Sequence, residues 1–245
     1  RIGVAKGDSW IDYATLEDCM REHLNEIAPR RVAVLDPLKL VIDNYPDGQS
    51  EECFAPNHPQ KPELGKRAVP FSKELWIERE DFTETPPKGY FRLFPGNKVR
   101  LRYGFVIECT GYDAATDTVH CTYDADTKSG TPGSDSVKVK GNIHWVSARH
   151  AHAAEVRVYE TLFTKENPNE VPEGQDFTAN LNPNSLEVIP NAKVEPSLRG
   201  VTKGARFQFE RLGYFAADPD STPDRPVFNR TVALRDTWAK IESKA

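Results

Sequence analysis

The segment Pro86–Ile107 carries five basic residues and five aromatic rings but no acidic residue, in a chain whose formal net charge is −5. Arginine offers a planar fork of donors to phosphates and base edges, and an aromatic ring offers a face on which an unpaired base stacks. A single strand over Lys98–Cys109 would place Arg100 and Arg102 ~6–7 Å apart on one face, with Tyr103 on the other. This spacing suits one step of a single-stranded nucleic acid. A solvated strand above an ordinary aromatic core is the competing interpretation.

Two further basic sites lie outside this segment. Arg30 and Arg31 directly follow Pro29, whose ring fixes the backbone at that corner. In Arg206–Arg211 the alternation of a strand places the first arginine and Gln208 on one face and the last arginine at the strand end. A glutamine beside an arginine can bind a base edge. Taken alone, each site is equally compatible with ordinary surface residues.

Catalytic chemistry has little support in the sequence, which contains no G-x-G-x-x-G, P-loop, H-E-x-x-H or G-x-S-x-G motif. We therefore predict no catalytic residue, no metal and no cofactor in this chain. Histidines are the exception to consider, because His150 and His152 could present two imidazoles on one strand face, with His120 as a third ligand. We prefer to interpret them as loop histidines. A small metal enzyme is the alternative from a different functional class.

Composition indicates a globular protein built from short strands. The chain has 245 residues, 38% apolar and 28% charged, and its 19 prolines outnumber its 15 glycines. Both residue types are spread along the chain, which is typical of turns between many short strands. The four cysteines form no C-x-x-C pair, and no apolar run approaches the ~18 residues of a membrane span. We expect reduced thiols, a cytoplasmic location and no membrane contact.

Periodicity separates one helix from the strands. Apolar residues recur at helical spacing in Thr15–Ala28, Thr15 is a candidate N-cap, and Pro29 should end the helix. The period then changes to two, first over residues 32–42, and strand signals recur about every 8–12 residues. Further predicted strands are Leu75–Ile77, Lys98–Cys109, Thr118–Tyr123, Val137–Trp145, Glu155–Phe163, Leu186–Ile189, Arg206–Phe209 and Val227–Val232.

These elements predict a mainly β fold, with two tandem antiparallel β-barrels preceded by a short helical connector. We assign residues 1–28 to the end of the connector and residues 29–150 to the first barrel region. Residues 151–245 form the second barrel region, with strands that could return to the first barrel. The chain starts at Arg1 without a methionine. We therefore expect a piece of a longer protein.

Eight short motifs follow one another along the whole chain. They are N-E-x-A-P-R at 25–30, V-L-D-P-x-K-L-V-I at 34–42, P-N-H-P-x-K-P-E at 56–63, V-R-L-R at 99–102, C-T-Y-D-A-D at 121–126, K-G-x-I-H-W-V-S at 140–147, F-Q-F-E-R-x-G-Y-F at 207–215 and P-V-F-N-R-T-V at 226–232. In this order they resemble the bacterial type of the glutaminyl-tRNA synthetase family. The resemblance implies the end of a helical connector followed by two β-barrels that bind the anticodon.

The resemblance also implies that catalysis takes place in a separate domain that this chain does not include. The family's ATP-binding signatures, His-Ile-Gly-His and a Met-Ser-Lys loop, are not in the sequence. We therefore expect a parent enzyme that is a glutamine–tRNA ligase using ATP and Mg²⁺, and no aminoacylation by this chain alone. The implied partner is tRNA-Gln, bound by a monomer. The alternative within the same fold is an archaeal or eukaryotic type of glutamyl-tRNA synthetase.

The resemblance implies a pocket for the central anticodon base, a U, at three residues. These are Arg30, Gln208 and Arg211, which are far apart in the sequence. The family splays its anticodon bases into separate pockets, so we expect these three side chains to converge in the folded chain.

The resemblance assigns the outer bases to the basic-aromatic segment. Arg92 matches the residue that binds the third base, a G, and Arg100 and Arg102 match arginines near the first base. Asn25 and Gln60 match positions that support the stem of the anticodon loop, with Gln60 standing where Asn is frequent. The segment that first drew attention is thus expected to bind the two outer bases and not the central one.

Overall fold

Strands dominate residues 13–234, which contain one α-helix at their N-terminal end. A computed structural model describes Gly3 and residues 13–234. The helix is close to the predicted one, but Thr15 lies inside it, so the predicted N-cap is wrong. The elements are α1 (Tyr13–Ile27), β1 (Arg30–Arg31), β2 (Ala33–Val34), β3 (Pro37–Ile42), β4 (Ser50–Pro56), β5 (Lys66–Ser72), β6 (Glu74–Glu78), β7 (Lys98–Leu101), β8 (Val106–Asp113), β9 (Thr118–Asp124), β10 (Gly141–Ile143), β11 (Trp145–Ser147), β12 (His152–Tyr159), β13 (Leu186–Val194), β14 (Arg206–Phe209), β15 (Gly213–Ala217) and β16 (Val227–Ala233).

Two seven-stranded sheets each curl into a nearly closed barrel. The first barrel has the strand order β10-β7-β8-β9-β3-β6-β11, and the second has β1-β14-β15-β16-β12-β13-β2. Each sheet ends on two strands that are consecutive in the chain, separated by His144 in the first barrel and by Val32 in the second. A single residue therefore joins the two edges of each barrel. The predicted mainly β fold with two barrels after a helix is confirmed.

Strand pairing combines local hairpins with long-range parallel neighbours. The predicted hairpin of β8 and β9 across Asp113–Asp117 is confirmed. Parallel pairs join β1 to β14, β3 to β9, β7 to β10 and β12 to β16. Parallel neighbours need long connections, and the intervening strands supply them here. Because β1 and β2 precede the first barrel but pair within the second, the chain passes between the barrels near residue 35. The boundaries proposed from the sequence stay predictions.

The predicted single strand Lys98–Cys109 is wrong. Strand β7 ends at Leu101 and β8 begins at Val106, and Tyr103 lies between them at a φ of 64°. The amide of Leu101 donates to the carbonyl of Phe105 at 2.8 Å across this tight turn. Arg102 therefore leaves the strand, and its predicted alternation with Tyr103 does not occur.

Other differences from the predicted strands concern length and missed hairpins. The predicted strand Val137–Trp145 is reduced to β10 and β11, with residues 137–140 outside any strand. Strands β4 and β5 form a separate two-stranded sheet that was not predicted, and β15 was also missed. The segment of β15 is fully apolar after Gly213, so it lacks the alternation used to identify strands.

The barrels have separate aromatic cores. In the first, the ring of Phe71 lies 4.9 Å from Phe105 and 5.3 Å from Trp145. In the second, Phe209 stacks on Phe215 at 4.3 Å. Such pairs add about 0.5–1.5 kcal/mol each beyond their burial. Two rigid barrels can therefore hold the connecting segments at fixed positions.

The helix and the junction between the barrels have small clusters of their own. Leu24 of α1 and Ala28, the residue after the helix, pack on Tyr214 and Val232 of the second barrel. At the junction, Val32, Val34 and Val146 form a buried cluster with partly buried Trp76 and Ala151. These contacts fix the end of α1 and strand β1 against the second barrel, where the first group of predicted site residues lies.

Candidate nucleic-acid interface

Strand β1 and the end of α1 bring three predicted site residues into one hydrogen-bond network. Arg30 lies opposite Gln208 in the parallel pair of β1 and β14. The guanidinium of Arg30 donates to the backbone carbonyl of Asn25 at 3.0 Å and to its side-chain Oδ1 at 2.7 Å. It also donates to the carbonyl of Ala28 at 2.7 Å. Gln208 Nε2 donates to the Tyr214 hydroxyl at 2.8 Å, which donates to Asn25 Oδ1 at 3.2 Å. We call this the Arg30 network.

The Arg30 network holds a buried cation among neutral oxygens. Arg30 is only 6% exposed, and its burial lowers its pKa. Electrostatic interactions with Tyr214 and Glu210 act in the opposite direction but are weaker. Its Nε has no hydrogen-bond partner among the described residues. A buried donor without an acceptor is costly. Three neutral acceptors thus hold the guanidinium of Arg30 in place, with no carboxylate bonded to it among the described residues.

Gln60 joins the Arg30 network through a histidine that was not among the predicted residues. The backbone amide of Gln60 donates to Nδ1 of His58 at 3.1 Å. The ring's Nε2 lies 2.8 Å from the carbonyl of Asn25, so the neutral tautomer with a proton on Nε2 satisfies both contacts. His58 is buried, whereas the side chain of Gln60 is exposed. The structure thus brings Asn25 and Gln60 to the same edge of the molecule, with His58 between them.

Arg211 belongs to a second network, together with Arg92. Arg211 donates in a bidentate arrangement to the carboxylate of Asp81, at 2.6 and 2.7 Å. Arg92 lies 3.1 Å from the same carboxylate and 2.8 Å from that of Glu80. Asp81 is completely buried. We call this the Asp81 network. In the described residues, the predicted central-base set is therefore divided between two networks.

Two neighbours tune the Asp81 network. Burial disfavours the charge on Arg211, but the hydrogen bond and charge of Asp81 outweigh it and raise the pKa of Arg211. His144 Nδ1 lies 3.1 Å from Arg211, and its Nε2 lies 3.3 Å from Glu78. His144 is also the residue that joins β10 to β11, so the closure of the first barrel positions the ring. Arg211 itself adopts a φ of 70° in the turn after β14.

Arg102 is held at the junction between the barrels. It forms an ion pair with the buried carboxylate of Glu210, and the Tyr103 hydroxyl donates to the same carboxylate at 2.9 Å. Burial acts to lower the pKa of Arg102, but the charge of Glu210 raises it overall. Arg67 lies 3.7 Å from Glu210 and donates to Glu195 at 2.6 Å. The turn after β7 is thus attached to the second barrel.

Arg100 makes a different set of contacts from Arg102. Its guanidinium donates to the carbonyl of Thr127 at 2.9 Å, to the Ser129 hydroxyl at 3.3 Å and to the carbonyl of Ser134. These acceptors lie in the loop after β9. Arg100 therefore stabilises a surface loop, and its three contacts leave few donors for a ligand.

The aromatic rings of the basic-aromatic segment divide between core and surface. Phe105 is buried in the first barrel, in agreement with the competing interpretation of this segment. Phe91 is 53% exposed, and the ammonium of Lys140 lies 5.0 Å from its ring centre. Gly141 is required beside it, because a Cβ there would lie 2.1 Å from the carbonyl of Phe91. Phe91 and Lys140 offer a stacking face with a cation next to Arg92.

Sequence reasoning missed Asp81, His144, His58 and Tyr214. Three acidic residues lie within Glu78–Asp81, four residues before the basic-aromatic segment begins, and this change of charge was the available signal for Asp81. The others lie within the quoted motifs but carry no charge that would mark them. A ring that positions another side chain has no signature in a single sequence.

The histidines considered for a metal do not converge in the structure. Residues 13–234 contain no group of three or more histidine, cysteine or acidic side chains arranged to hold a metal ion. His120 lies 2.9 Å from Asp43, and His150 lies 2.9 Å from the Ser147 hydroxyl. Among the described residues, none of the helices is long and apolar enough to cross a membrane.

Comparison with known families defines the class of this protein. Two family models match, at residues 28–124 and 142–218, and both are described as tRNA synthetases class I (E and Q), anti-codon binding domain. Together they cover more than half of the chain, which belongs to this family. The resemblance seen in the motifs is therefore confirmed.

Individual relatives within the family share one printed enzyme name. The chain is 65% identical to the glutamine–tRNA ligase of Cupriavidus taiwanensis over 245 residues, and 58% identical to that of Nitrosomonas europaea over 245 residues. It is 56% identical to that of Bordetella pertussis over 243 residues. These matches cover 98%, 98% and 97% of this chain, but only 41%, 44% and 41% of the respective relatives. The chain thus spans about two fifths of the length of these relatives.

Proposed function

We propose that this chain recognises the anticodon of tRNA-Gln within a glutamine–tRNA ligase. The family, and the names of relatives up to 65% identical, support this proposal. The structural observation that carries it is the Arg30 network, in which residues from α1, β1 and β14 surround a buried arginine that has only neutral oxygen partners among its hydrogen bonds. The catalytic step, with its ATP and Mg²⁺, then belongs to the part of the relatives that this chain does not span.

The chemistry of uracil fits the proposed central pocket. Uracil offers carbonyl oxygens and a ring N–H, and single-stranded RNA is recognised through such edges once a base is unstacked. Arg30 provides a guanidinium whose Nη2 carries two N–H groups and bonds only to Asn25 Oδ1 among the described residues. Gln208 uses its Nε2 to donate to Tyr214, which leaves its Oε1 as an acceptor. A donor and an acceptor side by side match the two kinds of group on the base.

The remaining predicted residues receive different proposed roles. Arg211 supports the central base from the Asp81 network, and Arg92 binds the third base beside the exposed ring of Phe91. Arg102 serves the first base from the junction, and Arg100 serves it through the loop that it holds. Asn25 and Gln60 contact the stem of the loop through the edge that contains His58. We propose that the chain acts in the cytoplasm and binds tRNA as a monomer. Light scattering of the chain with and without tRNA measures the molar mass and so tests the monomer.

Glutamate specificity is the second candidate, because the matching family models include both E and Q synthetases. The third anticodon base distinguishes the two candidates. A glutamine-specific reader prefers G there, whereas the glutamyl type would bind more tightly when this base is changed to C. The names of the curated relatives favour glutamine.

The test is binding of the chain to the anticodon stem-loop of tRNA-Gln and to three loops that each carry one changed anticodon base. We expect the cognate loop to bind most tightly, with an affinity that falls as salt rises because phosphates release counterions. Equal affinity for all four loops contradicts the proposal. Tighter binding of the loop with C at the third position supports the glutamyl candidate instead.

A separate assay tests the proposed division of labour. The chain is incubated with glutamine, ATP, Mg²⁺ and tRNA-Gln, and charged tRNA is measured. We expect no charging by the chain, and charging by the full-length ligase of a relative as the positive control. Charging by the chain alone would overturn the assignment of catalysis to the part that is not spanned.

A further inference from the structure

Two buried cysteines face each other across the β8–β9 hairpin. Cys109 pairs in register with Cys121, next to a bulge where the register shifts between Cys109 and Gly111. Both side chains lie in the core of the first barrel, at 1% and 0% exposure. The Cys109 thiol donates to the backbone carbonyl of Gly111 at 3.6 Å, and neither cysteine takes part in a disulfide. This juxtaposition lies apart from the Arg30 and Asp81 networks.

Backbone hydrogen bonds show which kind of antiparallel pair the two cysteines form. The amide of Cys109 donates to the carbonyl of Asn97 at 3.0 Å, and its carbonyl accepts from Gly96 at 2.8 Å. The carbonyl of Cys121 accepts from the amide of Asp43 at 2.8 Å. Both residues therefore direct their backbone groups away from each other. In such a non-hydrogen-bonded pair the Cα atoms lie about 4.5 Å apart and the side chains are closest.

This separation lies within the range that disulfides use, about 4.4–6.8 Å between Cα atoms. The other two cysteines are placed differently. Cys53 lies on β4, opposite Val69, and Cys19 lies on α1, away from the barrel core. Among the described residues, Cys109 and Cys121 are therefore the one pair of cysteines that lie opposite each other on neighbouring strands.

The environment also makes the pair chemically unequal. The neighbouring Cys121 side chain lowers the pKa of Cys109, although burial acts in the opposite direction. Burial and the neighbouring Cys109 raise the pKa of Cys121. Burial raises the pKa of Cys53 to about 12. Since the thiolate is the nucleophile, Cys109 is the buried cysteine that reacts first.

We propose that Cys109 and Cys121 are a modification site that closes to a disulfide when a diffusible two-electron thiol oxidant enters the hairpin. With an azo compound such as diamide, the Cys109 sulfur adds to one nitrogen of the N=N bond. The Cys121 sulfur then attacks Cys109, the S–S bond forms and the S–N bond breaks. The two thiol protons and two electrons leave with the oxidant as two N–H bonds. Local opening at the bulge admits the oxidant.

The experiment treats the folded chain with diamide, in a Cys19→Ser background that removes the thiol outside the barrel core. We expect an intact mass lower by two hydrogen atoms, and a decrease from three free thiols to one. Peptide mapping should show Cys109 linked to Cys121. Dithiothreitol should restore all three thiols.

Two controls keep the result specific. Cys53→Ser, from the same core, should leave the linkage unchanged, and Cys121→Ser should abolish it. The mapping itself uses the chain with both cysteines present, so it does not depend on folding of the Cys121 variant. A folded chain that keeps three thiols, while diamide oxidises a small dithiol in the same tube, overturns the proposal. So does a linkage through Cys53, or a mixture of linkages equal to that of the urea-unfolded chain.

Discussion

The two arginine networks differ in what surrounds the positive charge. Arg30 donates only to neutral oxygens, whereas Arg92 and Arg211 share the buried carboxylate of Asp81. A guanidinium among neutral acceptors keeps its full charge available, whereas a shared carboxylate offsets much of the charge in the other network. The Arg30 network can therefore accept an oxygen-rich ligand without giving up a charged partner. The Asp81 network must exchange ion pairs when a ligand arrives, or remain as a support.

The same contrast separates the two arginines near β7. Arg102 is paired with the buried carboxylate of Glu210, and Arg100 is paired with loop carbonyls. Identical side chains two residues apart thus make entirely different contacts, because β7 ends between them and Arg102 lies in the turn. Charge and spacing in the sequence therefore do not distinguish an arginine that contacts a base from one that stabilises the fold.

Asp81→Ala should have the largest effect, because it leaves Arg211 and Arg92 without their shared carboxylate. Removing one partner of a buried ion pair costs roughly 3 kcal/mol or more in the free energy of unfolding. We also expect reduced discrimination at both the central and the third anticodon base. Urea unfolding and stem-loop binding measure the two effects.

Asp224→Ala is the matched control for Asp81→Ala, since Asp224 pairs with Arg199 on the surface. Surface pairs are worth about 0–1 kcal/mol, so this variant should unfold close to the unsubstituted chain. If Asp81→Ala lowered the free energy of unfolding as little as Asp224→Ala does, the carboxylate would not hold the Asp81 network together.

Arg30→Ala should weaken binding of the cognate stem-loop by roughly 1–3 kcal/mol, because it removes the charge that the first network keeps unpaired. Arg30→Lys should recover only part of the loss, since an ammonium lacks the planar fork that bonds to Asn25 and Ala28. Titration calorimetry measures both. Arg199→Ala, at an exposed position outside both networks, provides the control, and an equal loss there would point to a general effect of charge.

The sequence predicted the architecture well, and the structure brings some of the proposed site residues together. Period-two segments, proline-rich turns and ordered motifs predicted two barrels and named Arg30 and Gln208, which the β1–β14 pair brings together. They did not reveal that Arg211 turns towards Asp81, because a left-handed residue after β14 and a buried partner 130 positions away leave no local signal. The turn at Tyr103 was missed for a similar reason. The positive φ falls on Tyr103 and not on the following Gly104, whereas glycine is the residue expected at such a φ.

Acid pH should weaken the surroundings of the Asp81 network while leaving the Arg30 network intact. Although burial acts to raise it, the pKa of Glu78 is lowered overall by His144 and by the amides of Leu35 and Asp36. A carboxyl with a lowered folded pKa adds stability above its unfolded pKa and loses it as the pH falls through the folded value. The stability advantage of the unsubstituted chain over Glu78→Gln, about 1 kcal/mol near neutral pH, should therefore be fully present above the unfolded pKa of about 4.3 and shrink as the pH falls below it through the lowered folded pKa.

Urea unfolding across this pH range measures the difference between the two chains. Glu187→Gln, at an exposed position on β13, is the control and should show no such trend. A pH-independent gap between the unsubstituted chain and Glu78→Gln would mean that the carboxylate charge does not stabilise the cluster around His144.

Arg100→Lys should have the smallest effect, because its contacts hold a loop and do not complete either network. We expect binding to weaken by about 0.5–1 kcal/mol, and by the same factor whichever base occupies the first anticodon position. Limited proteolysis should cut the loop at residues 127–134 faster. A loss confined to one first base would instead make Arg100 a direct base contact.

We propose that the Arg30 network recognises the central anticodon base. A double-mutant cycle tests it most directly, with Arg30→Ala on one side and a changed central base in the stem-loop on the other. Calorimetry of the four combinations gives the coupling energy between the side chain and the base. We predict a coupling of about 1–3 kcal/mol, so that Arg30→Ala no longer distinguishes the two loops. Additive losses, with no coupling, would contradict the claim and make Arg30 a contact to the phosphate backbone.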